Sequence, residues 1–439
     1  MDTLAGDAAR PRDPGRREVL AIPGVRRFLA GYAATMTGTA MTPVALAFAV
    51  LDRGGDAGDV GLVLMAEAIP LAALLLVGGV IADRLPRKRV LVVSDLVRAV
   101  SQLVLAATLL LGDPSIAVLM ALAAVLGAGQ AFGAPAFNAV VPSIVAPEHH
   151  QPVNAMASIA AAIGESLGPA LGGLLVATVG AGWAIAFDGG TYLFSAWCIA
   201  GLRIAHEGRE TTPGFLAELR EGWDAFRSRT WIWVVVLQFS ALHLLVLPAF
   251  LVVGAVVADD HLGGSRAWGL AMGAMGIGMV IGGLVMIRYR PQRLLLVGVI
   301  ALTALVVPLV ALALTAPLPV VLAATLLSGV SMPMFETAWL TSLQQHVEPE
   351  ALSRVNAYDW FGSVATLPLG YAIIGPLSST LGDSGALWLA AGVWVVASAV
   401  VVAVPAVRHL RVVAGAPAPS PIPGLAIDPA VDATPTPVS

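Results

Sequence analysis

Twelve apolar runs follow one another through this chain, separated by short polar breaks, and nothing else in the sequence limits its fold as severely. They cover approximately residues 28–51, 60–82, 90–112, 115–141, 153–178, 182–203, 231–256, 268–288, 294–315, 317–343, 353–379 and 385–407. A helix of about 20 apolar residues crosses the about 30 Å hydrocarbon core of a bilayer, and backbone groups in lipid are satisfied only within helices or closed barrels. Runs of this length predict an all-α integral membrane protein with twelve transmembrane helices. Composition agrees where it bears on the point: 58% of the 439 residues are apolar and only 12% charged, against about a quarter charged in soluble globules. Too little chain is left between the runs for a large soluble domain. The net charge of −4 gives no footprint for nucleic acid, and the lone Cys198 excludes an intramolecular disulfide or a cysteine-rich metal site. Lys88 is the only lysine and lies outside any Gly-x-x-x-x-Gly-Lys-Ser/Thr loop, so direct nucleotide drive is disfavoured. Neither a cofactor nor a metal is expected.

Basic residues test the same map, because lysine and arginine collect in cytoplasmic loops. Six lie in the N-terminal tail up to Arg27, four between Arg84 and Arg89, five between Arg203 and Arg229, three between Arg288 and Arg293, one at Arg354 and two in the C-terminal tail. The alternate loops hold only Arg53 and Arg266, and Arg98 falls inside a span. Twelve spans with both termini cytoplasmic satisfy this pattern, in the plasma or inner membrane. Residues 1–22 read as a disordered tail, 23–204 as a six-helix half, 205–230 as a cytoplasmic linker, 231–411 as a second six-helix half and 412–439 as a disordered Ala/Pro-rich tail. Within the linker, Phe215, Leu219, Trp223 and Phe226 recur at helical spacing after Thr212 and Pro213, as in an amphipathic helix lying on the membrane face.

The halves repeat each other. At a constant offset of 202, Val145, Pro147, Glu148, Val153, Asn154, Ala155, Leu167 and Gly168 match Val347, Pro349, Glu350, Val355, Asn356, Ala357, Leu369 and Gly370. Gly78, Gly79, Arg84 and Arg89 match Gly282, Gly283, Arg288 and Arg293 at an offset of 204. Eight matches in register indicate duplication, and paired six-helix halves around one central site are an architecture for alternating access.

Two motifs sharpen this. The second span ends in Gly79-Val-Ile-Ala-Asp83-Arg84-Leu-Pro86-Arg87-Lys88-Arg89, which resembles motif A of the major facilitator superfamily. The resemblance implies that Gly79 packs closely, that Asp83 caps the eleventh helix and that Arg84 and Arg87, with Lys88 beside them, pair with inner-gate acids. Pro86 departs from the glycine common there, and Ile287 replaces the acid in the second copy. The fifth span carries Gly164, Gly168, Pro169, Gly172 and Gly173. Its four-residue glycine spacing allows tight helix contact, with the glycines of the eighth span, Gly269, Gly273, Gly278 and Gly282, as one possible partner, and it resembles motif C of antiporters and exporters in that superfamily. Ala68-Ile-Pro70, Asp95-x-x-Arg98-Ala99 and Phe132-x-x-Pro135-Ala136-Phe137 are similar to the branch of macrolide-efflux and enterobactin-exporter-like proteins. Motif B of other drug exporters is not intact, as Gly127 holds its arginine position before Gln130.

Ionisable side chains at bilayer depth mark cavities, gates or proton paths. Seven stand out: Glu67, Asp95, Arg98, Glu165, Asp188, Glu336 and Asp359. Asp95 and Arg98, three apart on one helix, can form an ion pair. Glu336 and Asp359 fall toward the cytoplasmic ends of their spans, as inner-gate partners of the motif A arginines or as proton and substrate groups. Glu165 lies near mid-membrane, about 18 Å along its helix, and can either exchange a proton between the two sides or stay protonated as a structural group between the halves. Glu67 and Asp188 read as outer-cavity groups able to attract a cation. The reading that gathers most of these features is a monomeric proton-coupled exporter of an amphipathic small molecule, with no enzymatic step. An importer or symporter on the same fold, and a non-transporting membrane binding or sensor module, remain as alternatives.

Overall fold

The computed structural model describes residues 20–22, 24–138, 140–146, 149–202, 223–224, 226–289 and 291–412; the side chains of 75–84, 134–136, 138, 142, 151, 349–350, 353–354, 356–357 and 360 lie outside that description. Both expected tails fall almost wholly outside the described residues, as does the linker up to residue 222. All regular structure in the described residues is helical. Among the described residues, ten helical segments are long and apolar enough to cross a membrane. One of them, Phe361–Ala403, is interrupted at Gly382 (φ 74°, ψ 162°), and Ala181–Ala200 is a further apolar helix of 20 residues. The helices thus accommodate the twelve expected spans: α1 Val25–Leu51, α2 Ala57–Arg84, α3 Arg87–Leu111, α4 Ile116–Asn138, α5 His150–Val179, α6 Ala181–Ala200, α7 Thr230–Leu262, α8 Ser265–Arg288, α9 Leu294–Ala313, α10 Leu318–His346, α11 at 349–381 and α12 at 383–403.

Most of the helices bury one side and leave large apolar side chains on the other. Val93, Val100 and Val104 of α3, Leu167 and Leu174 of α5, Ile277 and Leu284 of α8, and Val396 and Val400 of α12 are all exposed. An apolar outer surface of this extent is a lipid-facing one, and the protein is a multi-pass membrane protein. Lipid offers no hydrophobic drive for helix association, so helices meet through small residues that let backbones approach.

The two halves pack alike. In the first, α1 lies against α5 and α6, α2 against α4, and α3 against α4 and α6; in the second, α7 lies against α11, α8 against α10, and α9 against α10 and α12. The repeated glycines sit at matching places. A side chain on Gly168 would strike Ala40 and the Thr37 carbonyl of α1, and one on Gly370 would strike the His243 and Leu244 carbonyls of α7. The offset of 202 also reaches Gly180 and Gly382, which join α5 to α6 and α11 to α12 with nearly the same backbone: φ 91°, ψ 161° and φ 74°, ψ 162°. That conformation is essentially restricted to glycine. α7 departs from its counterpart α1 by widening into π-turns at Leu242–Val246, Ala249–Val253 and Ala258–Leu262. Pro248 lies between the first two and cannot donate a backbone hydrogen bond.

Candidate functional site

The halves touch along two seams. In the first, the start of α2 meets α11, where Gly58 backs onto Gly375 and Gly61 onto the Tyr371 carbonyl. In the second, α5 meets α8: Gly173 and Gly269 are in backbone contact, and Gly276 lies against the Ser166 backbone. Apart from the Ser166 contact at mid-height, these contacts occupy the end of the bundle remote from the chain termini. Exposure along α5 reveals the opposite end. On its face turned from lipid, Val176 and Gly172 are buried, whereas Glu165 and Ala162 are exposed. The halves therefore diverge into a cleft that opens toward the terminal face, where no extensive packing between them occurs among the described residues.

Two acids face each other across this cleft. Glu165 comes from α5, opposite its lipid-facing Leu167. Glu336 comes from α10, opposite the exposed Leu327. Their charges are close enough to interact, and Tyr32 of α1 is within reach of Glu165. Beside Glu336 runs an aromatic column: Phe239 stacks on Phe335 with centroids 4.7 Å apart, Phe335 on Trp339 at 6.1 Å, and Trp231 meets Trp339 edge-on at 5.6 Å. Asp359 is half-buried and accepts hydrogen bonds from the Trp339 indole at 2.8 Å and the Ser363 hydroxyl at 3.4 Å. An amphipathic molecule entering the cleft would thus meet carboxyls from both halves; of the aromatic column beside Glu336, Phe335, Trp339 and Trp231 are buried in the second half.

Asp188 is not on this cleft. It is buried among α1, α3 and α6, where Oδ2 accepts from Thr42 Oγ1 at 2.7 Å and Gln102 Nε2 at 2.5 Å, and Oδ1 from Thr191 Oγ1 at 3.4 Å. Gly38 makes room for it, since a side chain there would occupy the space of its carboxylate. Asp95 and Arg98 are in direct contact as a buried ion pair. The guanidinium lies 4.3 Å from the centre of the Tyr192 ring, whose hydroxyl pairs with Thr39 Oγ1 at 3.0 Å. Glu67, half-buried, points from the face of α2 that also carries buried Val60, Val63 and Leu64, and its charge interacts with that of Asp188. Sequence reasoning read Glu67 and Asp188 as outer-cavity groups; with the remote seam closed, Asp188 is buried within the first half and Glu67 is half-buried.

The motif residues divide. The side chains of Gly79, Asp83 and Arg84 lie outside the described residues, although α2 runs through them. Arg87 donates to Ser143 Oγ at 2.8 Å and Lys88 to the Leu202 carbonyl at 2.9 Å, which ties the start of α3 to neighbouring elements of its own half. The motif C glycines do not all meet the eighth span. Gly164, Gly168 and Gly172 close on α1 at Met36, Thr37, Ala40 and Met41, and only Gly173 reaches Gly269. Pro169 lies inside α5 directly after Gly168. At the motif B position, Gly127 abuts the Glu67 backbone, where no side chain fits. The intramembrane arginine stands instead on α3, as Arg98, laid against Gly129 and Gly133 of α4.

The sequence profile of the Major Facilitator Superfamily matches residues 28–366. The chain belongs to the Major Facilitator Superfamily. Among its relatives, Macrolide efflux protein A of Streptococcus pyogenes is 23% identical over 361 residues, covering 81% of this chain and 88% of that protein. Multidrug efflux pump Tap of Mycolicibacterium fortuitum is 25% identical over 367 residues, with 79% and 87% covered. Solved structures share the fold of this transporter: a bacterial homologue of the human lysosomal transporter Spinster, inward-facing and unoccupied, at TM-score 0.68 and 14% identity over 88% of this chain and 97% of that one, and nucleoside transporter NupG at TM-score 0.65 and 12% identity, with 86% and 98% covered.

Several residues of these clusters escaped the sequence reading, among them Thr42, Gln102, Tyr192, Tyr32 and Trp339. A signal existed for the first three. Thr35, Thr39 and Thr42 on α1, Asp95, Arg98 and Gln102 on α3, and Asp188, Thr191, Tyr192 and Ser195 on α6 each form a polar stripe at helical spacing within an apolar run.

Proposed function

We propose that this superfamily member exports an amphipathic small molecule of the drug or macrolide class by alternating access, in exchange for protons. The observation that carries the reading is the cleft between the halves, closed by glycine seams at one end and open at the other, with Glu165 and Glu336 facing each other across it. Efflux relatives support the direction. The distribution of arginines places both termini and the open end of the cleft on the cytoplasmic side of the plasma membrane, so the present state is the one that loads substrate from within. A proton arriving from outside displaces substrate from carboxyls that cannot hold both. One chain contains the cleft and both seams, so a monomer suffices, and the cycle needs no covalent step.

Everted vesicles bearing the protein should accumulate a labelled macrolide when a pH gradient is imposed and lose it when a protonophore is added. Glu165→Gln should lower pH-driven accumulation at least about tenfold, equivalent to about 1.4 kcal/mol or more, with normal membrane insertion. Undiminished pH-driven accumulation in that variant would remove Glu165 from coupling, and accumulation in right-side-out vesicles instead would favour an importer.

A further inference from the structure

A second cavity lies away from the cleft, where the start of α1 meets the end of α6. It measures about 800 Å³, and Gly24, Arg26, Arg27, Ile144, Phe194 and Trp197 are in its wall. That volume falls within the about 300–1,000 Å³ of small-molecule sites. Phe194 and Trp197 are exposed on the lipid side of α6, so the cavity opens sideways into the bilayer at the end that carries the chain termini. Arg26 and Arg27 are both exposed, and neither is paired with an acid among the described residues. Arg27 is nevertheless held in place. Its Nη1 donates to the Gly201 carbonyl at 3.4 Å, and its guanidinium lies 5.8 Å from the centre of a Trp197 ring. A side chain on Gly201 would strike that guanidinium. The bond to Gly201 uses one of five N–H donors. Lys88 adds charge nearby, donating at 2.9 Å to the carbonyl of Leu202, another residue of the cavity wall.

The second half treats the same corner differently. Arg229, at the start of α7, is bound by Glu348 and donates to the His346 carbonyl at 3.3 Å. At the offset of 202 the place of Glu348 falls to Ala146, two residues from the cavity-lining Ile144. The first half thus gathers cations here where the second supplies its own anion. An apolar track continues from the cavity along α6. Trp183, Phe187, Gly190, Phe194 and Trp197 recur every three or four residues on its exposed face. Gly190 leaves a notch between Phe187 and Phe194, since a side chain there would meet nothing. From Trp197 to Phe187 the track runs about 15 Å, one leaflet of an about 30 Å core.

We propose that this cavity binds one anionic phospholipid from the leaflet at the terminal face, with its phosphate on Arg26 and Arg27 and an acyl chain in the notch at Gly190. The unneutralised arginines select an anion. The sideways opening selects a ligand that arrives through the bilayer, and the length of the track fits a chain of one leaflet. Planar guanidinium groups suit phosphate oxygens, and the Trp197 indole fixes one of them in the plane of the headgroups. The site stands on the lipid side of α1 and α6, so its occupancy requires no particular direction of transport.

Native mass spectrometry of the full chain, released from detergent in the presence of phosphatidylglycerol or phosphatidylcholine with the same acyl chains, counts the lipids that stay bound. One phosphatidylglycerol should be held at least about tenfold more tightly than phosphatidylcholine, as two arginines at a membrane surface support. Arg26→Gln with Arg27→Gln should abolish the preference, and Arg26→Lys with Arg27→Lys should keep part of it. Arg288→Gln with Arg293→Gln removes the same charge from another loop and should leave the preference unchanged. Gly190→Leu fills the notch with both arginines intact and should weaken retention of phosphatidylglycerol. No preference in the wild-type chain overturns the proposal, as does a preference that survives in the Arg26→Gln, Arg27→Gln protein. Equal loss in the Arg288→Gln, Arg293→Gln protein overturns it in favour of diffuse surface charge. Displacement of the lipid by inorganic phosphate overturns it in favour of a free anion, and full retention in Gly190→Leu overturns the seat of the acyl chain.

Discussion

The two halves share a backbone plan and fill it with different chemistry. Between α3 and α6 the first half places Asp95, Arg98, Gln102 and Asp188. At the corresponding place between α9 and α12, the second places Trp394, whose indole donates to the Leu302 carbonyl at 3.1 Å. Every fully buried charged side chain among the described residues lies in the first half. Contacts that depend only on backbone approach, such as Gly168 on α1 and Gly370 on α7, are common to both. Duplication fixed how the helices meet, and the interior was then free to diverge. Buried ions cost stability that an apolar filling does not, so their confinement to one half marks that half as the one in which charge has a use.

Removing the cation should break this contrast most sharply. Arg98→Ala leaves Asp95 buried without a counterion and should cost about 3–5 kcal/mol, seen as a large fall in the unfolding temperature in detergent. Adding Asp95→Ala should recover much of the loss, and failure to do so would mean that the pair is not the main structural debt of the first half. Gly168→Ala and Gly370→Ala should then cost similar amounts, about 1–3 kcal/mol each, because each drives a methyl into the first helix of its half. A large inequality between them would contradict the shared plan. Trp394→Phe should cost about 1 kcal/mol with no change in proton dependence, since the second half uses this bond for packing alone.

The smallest effect concerns a surface group. Glu348 precedes α11, and its own backbone N–H, followed by the Arg229 guanidinium, holds its carboxyl below the usual value of 4.5. A lowered carboxyl stabilises the fold above its unfolded value and loses that contribution as pH falls through the folded one. Glu348→Gln should therefore leave stability at pH 7 nearly unchanged and slightly flatten its decline below about pH 4.5. A clear loss at pH 7 would show the pair to be stronger than an exposed one should be.

Much of the fold was legible because lipid imposes a length on each helix, and the register of 202 residues exposed the duplication. The same register ran on to Gly180 and Gly382, whose shared backbone strain the sequence hints at only through matching glycines. Helix partners were less legible. The four-residue glycine spacing of α5 identifies a surface for close contact but not which helix meets it, and three of its glycines found α1 rather than α8. The polar network required three stripes on α1, α3 and α6 to converge, a fact of packing that no single run contains. The facing of Glu165 and Glu336 depends on how the halves stand to each other, which hydropathy cannot encode. The π-turns of α7 have no apolar periodicity of their own, and Pro248 is their only cue.

Two distances followed together test the account most directly: one across the remote seam, between labels at Asp52→Cys and Thr380→Cys, and one across the mouth of the cleft, between labels at Asn154→Cys and Gln344→Cys, in transport-competent protein. Macrolide binding or a change in pH should shift the two in opposite senses, one lengthening as the other shortens. Both lengthening together, or neither changing while transport proceeds, would contradict a molecule that works by rocking one half against the other.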